Sequence, residues 1–375
     1  TVSDWRSEID SIDAELLGLL NRRAQVALRV GDAKRRDASP LYDPHREREV
    51  ILNACRRNAG PLDDNAVANV FQRVIDECRR VQRRAAFTPK TERAHAFTPT
   101  GAGARVAYQG ERGSFSEEAA VELLPECVLV PRPTFESLFE AVEDGSADYV
   151  LAPFENSLMG SINRCHDLLL ESRLQIVAEV VRRVTHCLVG CRGATLDTVE
   201  TVESHPVALA ECERFFAAHP RLRRVASDDT AASVRRVVER GDARVAAVAG
   251  RRAAEIYGGR ILQEHLEDHR EDYTRFVLLA AGPSARAGDK LSLAVRLTNR
   301  PGAIRDALET FARRGVDLLS VESRPFKGRP WQYHFFIDLR APEDEDALTQ
   351  ALDELGRLAE EVRVLGRYRA SGEAL

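Results

Sequence analysis

No stretch of this 375-residue sequence approaches ~18 consecutive apolar residues, which excludes a membrane-spanning helix. The first residues, Thr1-Val2-Ser3-Asp4-Trp5-Arg6, lack the basic-then-apolar layout of a secretory signal, so no export is expected. Cysteine is scarce: the seven, at positions 55, 78, 127, 165, 187, 191 and 212, are odd in number and scattered. That fits a reducing cytoplasm better than a disulfide framework. Basic charge is not in excess, since 54 bases against 59 acids leave a net charge of −5, and no global attraction to nucleic acid follows. Lysine supplies only Lys34, Lys90, Lys290 and Lys327, an arginine bias that carries no functional inference. What is present is an ordinary soluble composition, 44% apolar and 30% charged, long enough for two or three domains.

Residues 1–84 read as nearly pure helix. Ile9, Ile12, Leu16, Leu19/Leu20 and Val30 recur every three to four positions, predicting one helix from a cap near Ser3 to about Arg36. A shorter helix follows over Pro44–Asn58 and a third over Asp63–Arg84. A first helix of this length, ~50 Å, cannot bury its apolar stripe within so small a unit, so a second copy of the chain is expected. Residues 85–104, rich in Thr, Pro, Gly and Ala without apolar period, read as a linker.

Over 105–281 short β runs (Val106–Tyr108, Tyr149–Pro153, Cys187–Val189, Val245–Ala249, Phe276–Ala280) alternate with helical stretches (Glu117–Leu124, Phe135–Asp144, Val207–Ala218, Ala231–Glu239). This predicts α/β structure with a largely parallel sheet, in one large domain or two lobes. After a break at Gly282-Pro283-Ser284 through Gly288, residues 289–370 read βαββαβ, the ferredoxin-like split order. The fold class is therefore multidomain: α, then α/β, then α+β.

Several charges in the helical region have no packing reason: Arg6, Arg23, Lys34, Arg46, Glu47, with Gln82 on the third helix. Arg23 and Lys34, 11 residues apart, share one helix face ~16 Å apart and can converge on a small anion between them. Arg6 lies 17 residues before Arg23, ~25 Å along the axis and ~100° around it, so it can serve that anion only from a second subunit. With 16 bases and 14 acids interleaved over 1–84, a nucleic-acid face is disfavoured.

This constellation closely resembles the all-helical chorismate mutase family: an early Arg, Arg-x10-Lys, D-x-x-R-E as Asp43-Pro44-His45-Arg46-Glu47, and a late Gln. The resemblance implies a three-helix, intertwined dimer. It also implies that Arg23 and the partner's Arg6 clamp the two carboxylates of chorismate. Lys34 and Gln82 would donate to the breaking ether oxygen, and Glu47 would accept from the ring hydroxyl, with Asp43, Arg46 and Cys78 among the substrate contacts. A pericyclic rearrangement moves no proton, so positioning and charge stabilisation suffice. Cys78 stands where the family has a small hydroxyl, a poorer donor that should weaken carboxylate binding modestly.

The middle region carries Gly110-Glu111-Arg112-Gly113-Ser114-Phe115-Ser116, Glu155-Asn156-Ser157, Ser204-His205-Pro206, Asp229-Thr230-Ala231-Ala232 and Thr274-Arg275-Phe276. Each string has a local reading as a cap or turn. Together they closely resemble prephenate dehydratase, implying two lobes of periplasmic-binding-protein type with the active site between them. Thr274 would assist the departing ring hydroxyl, while Ser114, Ser116, Asn156, Ser204, Thr230, Arg275 and Phe276 would line the substrate site. Val207 and Glu211 replace the glutamines usual in that family. An anionic Glu211 would repel a dicarboxylate, so its side chain is expected to point away or to be hydrogen-bonded elsewhere. His186-Cys187-x3-Cys191 lacks a second ligand pair and reads as buried strand, so no metal is expected.

In the last region Gly302-Ala303-Ile304 and Glu322-Ser323-Arg324-Pro325 resemble the GAL and ESRP strings of phenylalanine-binding ACT regulatory domains. All seven residues would then contact the effector, in a pocket usually built by two chains.

The three parts resemble, in order, the bifunctional chorismate mutase–prephenate dehydratase family. That implies conversion of chorismate to prephenate and of prephenate to phenylpyruvate, carbon dioxide and water, inhibited by L-phenylalanine, with no cofactor. Two alternatives stand beside it: a degenerate dehydratase cleft acting as an amino-acid-responsive binding module, and a dehydratase that prefers arogenate.

Overall fold

The computed structural model describes residues 2–36, 44–64, 66–68, 70–71, 73–75, 78, 102–282, 288–326, 331–342 and 345–372. At 2, 3, 31, 32, 34–36, 44, 45, 47 and 48 it describes the backbone alone. Residues Thr1–Arg93 and Ala94–Leu375 form two units.

In the first unit Val2–Arg36 is a single helix, as the apolar period predicts, followed by the helix Pro44–Arg56. The described residues between 64 and 78 are helical, and Val67, Ile75 and Cys78 are buried. The stripe on the long helix stays open: Ile9 is 56%, Ile12 56% and Leu16 51% exposed. Covering each such side chain is worth about 1.5–3 kcal/mol.

Among the described residues the second unit holds three sheets. The first contains β1 (Arg105–Gln109), β2 (Val128–Arg132), β3 (Tyr149–Asn156), β4 (Gly160–Ser161), β5 (Leu174–Arg183) and β11 (Tyr273–Ala281), in the order β2-β1-β3-β11-β5 with β4 paired to β3. The second contains β6 (Cys187–Gly190), β7 (Thr201–Ser204), β8 (Arg223–Ala226), β9 (Val245–Ala249) and β10 (Arg260–Glu264), in the order β10-β6-β9-β7-β8. The expectation of a largely parallel sheet needs correction. β1 pairs in parallel with β2 and β3, and β7 with β8 and β9, but β11 lies antiparallel to both β3 and β5. β6 is antiparallel to β9 and β10. Strands buried on both faces read as unbroken apolar runs whichever way their neighbours point, so the pattern could not report direction. The single helix expected over Val207–Ala218 is two, Pro206–Ala210 and Glu213–Ala218, broken at the buried Cys212.

The third sheet is β12 (Lys290–Leu297), β13 (Leu318–Pro325), β14 (Tyr333–Arg340) and β15 (Ala359–Tyr368), in the order β13-β14-β12-β15, with helices Ala303–Ala312 and Glu345–Leu358. This is the βαββαβ order expected. One continuous core joins it to the first sheet: Ala294, Phe336, Leu365 and Tyr368 pack with Ala152, Phe154, Ile176, Val277 and Leu279. Gly366 lets β15 approach β5 closely, since a Cβ there would collide with the Ile176 carbonyl.

Candidate active sites

In the helical unit Arg23 donates from Nη1 to Cys78 Sγ at 3.0 Å and to the Val74 carbonyl at 3.5 Å. Two of the residues read from sequence as carboxylate contacts are thus brought together, with the thiol as acceptor. Arg6 is exposed, and Arg46 is exposed with an ion pair to Glu49 at 2.6 Å. Lys34 and Glu47 lie on described helical backbone, but their side chains, like Asp43 and Gln82 altogether, lie outside the described residues.

In the second unit the centre is Thr274 on β11, directly opposite Asn156 on β3. Asn156 Oδ1 accepts from the backbone N–H groups of Leu158 (2.9 Å) and Met159 (2.8 Å), which fixes the amide's orientation. Its Nδ2 therefore donates to Asp272 Oδ1 at 2.7 Å and to Thr274 Oγ1 at 3.3 Å. With its oxygen accepting from Asn156, Thr274 has its own proton free to donate elsewhere.

Ser114 caps the helix Phe115–Leu123, accepting from Glu117 N, and Ser114 and Ser116 are buried. Asp229 caps the helix Thr230–Arg240, which sets Thr230 in its first turn. The two caps face each other: a Cβ on Gly110 (φ 104°) would lie 2.7 Å from Asp229 Oδ2. Glu111 and Arg235 bridge the lobes through paired hydrogen bonds of 2.7 and 2.9 Å. Ser204 is fully buried and donates to the Val248 carbonyl at 2.6 Å, so its proton is committed to the sheet.

Glu211 behaves as its charge requires. It is hydrogen-bonded to His186 Nε2 at 2.7 Å, away from open solvent. His186, Glu211 and Asp272 each offer a ligand atom within 4.8 Å of one another. The 2.7 Å acid–imidazole contact is an ordinary hydrogen bond. Cys187 is a buried β6 residue whose thiol burial pushes up to about 11, poor ligand chemistry. Asp272 is fully buried, its Oδ2 has no partner among the described residues, and burial followed by the Glu211 charge raises its pKa. Sequence reasoning missed Asp272; its signal was position, two residues before Thr274.

Two residues read as substrate contacts face elsewhere. Phe276 is buried in the core with Leu151, Val106 and Ala119. Arg275 lies on the opposite face of β11 from Thr274, as strand alternation demands. It bonds Glu179 (Nε, 2.7 Å), Asp338 (Nη1, 2.7 Å) and Tyr368 (Nη2, 2.8 Å). In the third sheet's region Gly302 (φ 76°) precedes the helix Ala303–Ala312, with Ile304 exposed. Glu322 and Arg324, read as effector contacts, reach the first lobe instead, at Ser161 Oγ and at Asp167 (3.4 Å). Ser323 and Pro325, on the same edge strand, are exposed.

Three family models match this chain: Chorismate mutase type II over residues 5–83, Prephenate dehydratase over 106–284 and ACT domain over 291–357. A bifunctional chorismate mutase/prephenate dehydratase of Neisseria gonorrhoeae is 37% identical over 366 residues, covering 97% of this chain and 95% of that protein. The chain belongs to the bifunctional chorismate mutase/prephenate dehydratase family. As a chorismate mutase/prephenate dehydratase it is an enzyme with an isomerase and a lyase activity. Among solved structures, prephenate dehydratase from Arthrobacter aurescens in complex with L-Phe matches with TM-score 0.65 and 29% identity, over 71% of this chain and 90% of that one. A structure titled GqqA, a novel type of quorum quenching acylase, matches with TM-score 0.66 and 34% identity, over 72% of this chain and 98% of that one.

Proposed function

We propose that this chain converts chorismate to prephenate in the helical domain, 1–84, and prephenate to phenylpyruvate in the domain 105–281. L-phenylalanine acts through residues 289–370. The observation that carries the dehydratase half is the Asn156–Thr274 hydrogen bond. It leaves the threonine proton aimed at the ring hydroxyl, which departs as the carboxylate carbon leaves as carbon dioxide and the ring aromatises. A hydroxyl is a weak acid, so placement and aromaticity contribute more than proton transfer. Ser114, Ser116 and Thr230 sit at the N-terminal turns of two helices, where free N–H groups and the helix dipole suit the substrate's carboxylates. The lobes close on substrate as in periplasmic binding proteins. An acylase would need a base to activate a hydroxyl nucleophile, and Asn156 donates to Thr274 rather than accepting from it.

The mutase half rests on Arg23 held by Cys78, with Lys34 and Gln82 at the ether oxygen, Glu47 at the ring hydroxyl, and Asp43 and Arg46 beside them. Arg6 comes from the partner in an intertwined dimer, which also covers the exposed Ile9–Leu16 stripe. β13 is a sheet edge with Leu319 and Val321 exposed, suited to a second copy that completes a phenylalanine pocket at Gly302, Ala303 and Ile304. Seven free thiols fit a cytoplasmic home. The test is steady-state turnover of chorismate, prephenate and arogenate separately, with and without phenylalanine. Binding of prephenate without phenylpyruvate would convert the reading to a binding module, and faster arogenate turnover would change the substrate.

A further inference from the structure

The chain places its effector region and its dehydratase centre in contact through residues that neither the reaction nor effector binding uses. Arg275 is the next residue after Thr274, and strand alternation sends the two side chains to opposite faces of β11. The guanidinium enters a buried group of charges: Glu179 from β5, and Asp338 and Lys290 from β14 and β12 of the third sheet. Lys290 Nζ lies 3.0 Å from Glu179 Oε2 and 3.6 Å from Asp338 Oδ2, and Ser292 Oγ donates to Asp338 Oδ1 at 2.5 Å. The fork of Arg275 is thus spent on both sides of the boundary, and its rigid plane transmits direction as well as charge.

A second contact enters beside the same centre. Glu322, on β13, bonds the Ser161 hydroxyl, and Ser161 pairs in register with Glu155, the neighbour of Asn156. One neighbour of each member of the Asn156–Thr274 hydrogen bond is therefore linked to the third sheet: Arg275 directly, and Glu155 through its strand partner Ser161. Between the two links lies a cavity of about 210 Å³ whose lining includes Glu155, Ser161, Arg275, Glu322 and Asp338. Close-packed interfaces resist sliding, and a void of this size where the links meet gives the third sheet room to shift against the first.

We propose that Arg275 is a positioning residue: through its buried bonds to Asp338 and Tyr368 it holds Thr274 in register with Asn156, and effector binding acts on dehydration by disturbing that link. This rests on the dehydratase and phenylalanine reading above, and it names the route by which regulation reaches the reacting atoms. An effector can alter the reaction only by a differential interaction with two arrangements of the link.

The experiment uses the full-length protein. Asp338→Asn keeps shape and removes the charge that faces Arg275; Tyr368→Phe keeps the ring and its packing and removes one hydroxyl. Both should retain phenylalanine binding by calorimetry and the wild-type chorismate rate, while inhibition of phenylpyruvate formation at saturating phenylalanine falls several-fold, more in Asp338→Asn. Arg275→Gln should lower kcat on prephenate with KM nearly unchanged, and Arg275→Lys should recover part of that loss. Should Asp338→Asn fail to fold, Tyr368→Phe decides. Full inhibition in the folded variants, or a rise in KM in place of the fall in kcat, overturns the inference alone. Absence of prephenate turnover by the unsubstituted chain overturns the functional reading and this inference with it.

Discussion

Asn156 stands directly opposite Thr274 across the antiparallel β3–β11 pair, and its amide nitrogen lies 3.3 Å from the threonine oxygen. Two backbone N–H groups lock the other end of that amide, so the donor cannot turn away. Asn156→Asp retains the shape but replaces a donor by an acceptor and sets a second carboxylate beside Asp272. Phenylpyruvate formation should fall by about 10²-fold or more, the size seen when one oriented donor is lost. A variant within twofold of the parent would show that the amide does not set the hydroxyl's direction.

The two chemistries should separate cleanly by substitution. Lys34→Ala should slow chorismate rearrangement by several kcal/mol of barrier, as loss of a transition-state donor does, and leave dehydration intact. Thr274→Ala should do the reverse. Parallel assays on each substrate check this, and equal loss of both rates in either variant would indicate misfolding.

Mixing subunits tests the shared mutase site. Arg6→Ala and Lys34→Ala proteins are each inactive as mutases under this reading. In a mixed dimer both lesions fall in one site and the other is intact, so co-refolding should restore about a quarter of the mutase rate. A folded, active monomer by sedimentation would end the argument.

Asp272 holds a buried oxygen with no partner among the described residues, and its pKa is raised by burial first and by Glu211 next. A raised carboxyl makes the native state keep its proton longer than the unfolded chain, so stability declines as pH rises through ~4. Asp272→Asn removes that loss and can still accept from Asn156. Its thermal midpoint at pH 7 should rise, by about 2–4 °C for each kcal/mol relieved, with no difference near pH 3. A lower midpoint at neutral pH would show that the charge is stabilising.

His166 is buried against Phe154 and Phe336, and burial holds its pKa below the ordinary value despite the Ile162 carbonyl at 3.3 Å. On acidification below ~6.5 the unfolded chain takes up a proton that the native state refuses, so stability falls there. His166→Gln should flatten that part of the stability–pH profile, measured by denaturant midpoints between pH 7 and 5. An unchanged slope would assign the fall to other groups.

Much of this protein is written in local pattern. The three-to-four-residue apolar spacing of the first helix, the alternation of β runs and helices, and the βαββαβ order follow from which faces must be buried, and each appears in the structure. The caps Ser114 and Asp229 were legible because a polar residue at a fixed offset from an apolar run has few local roles, whereas Thr274 and Asn156 entered only through the family resemblance. Strand direction was not, because doubly buried strands look alike in either direction. Nor was the destination of Arg275, Glu322 or Arg324. Their strings are short and local, whereas their partners Glu179, Asp338, Ser161 and Asp167 are brought beside them by the packing of one sheet on another. Glu211 shows the same division: its charge alone said it must be satisfied, and only the folded chain supplied His186 as the group that satisfies it.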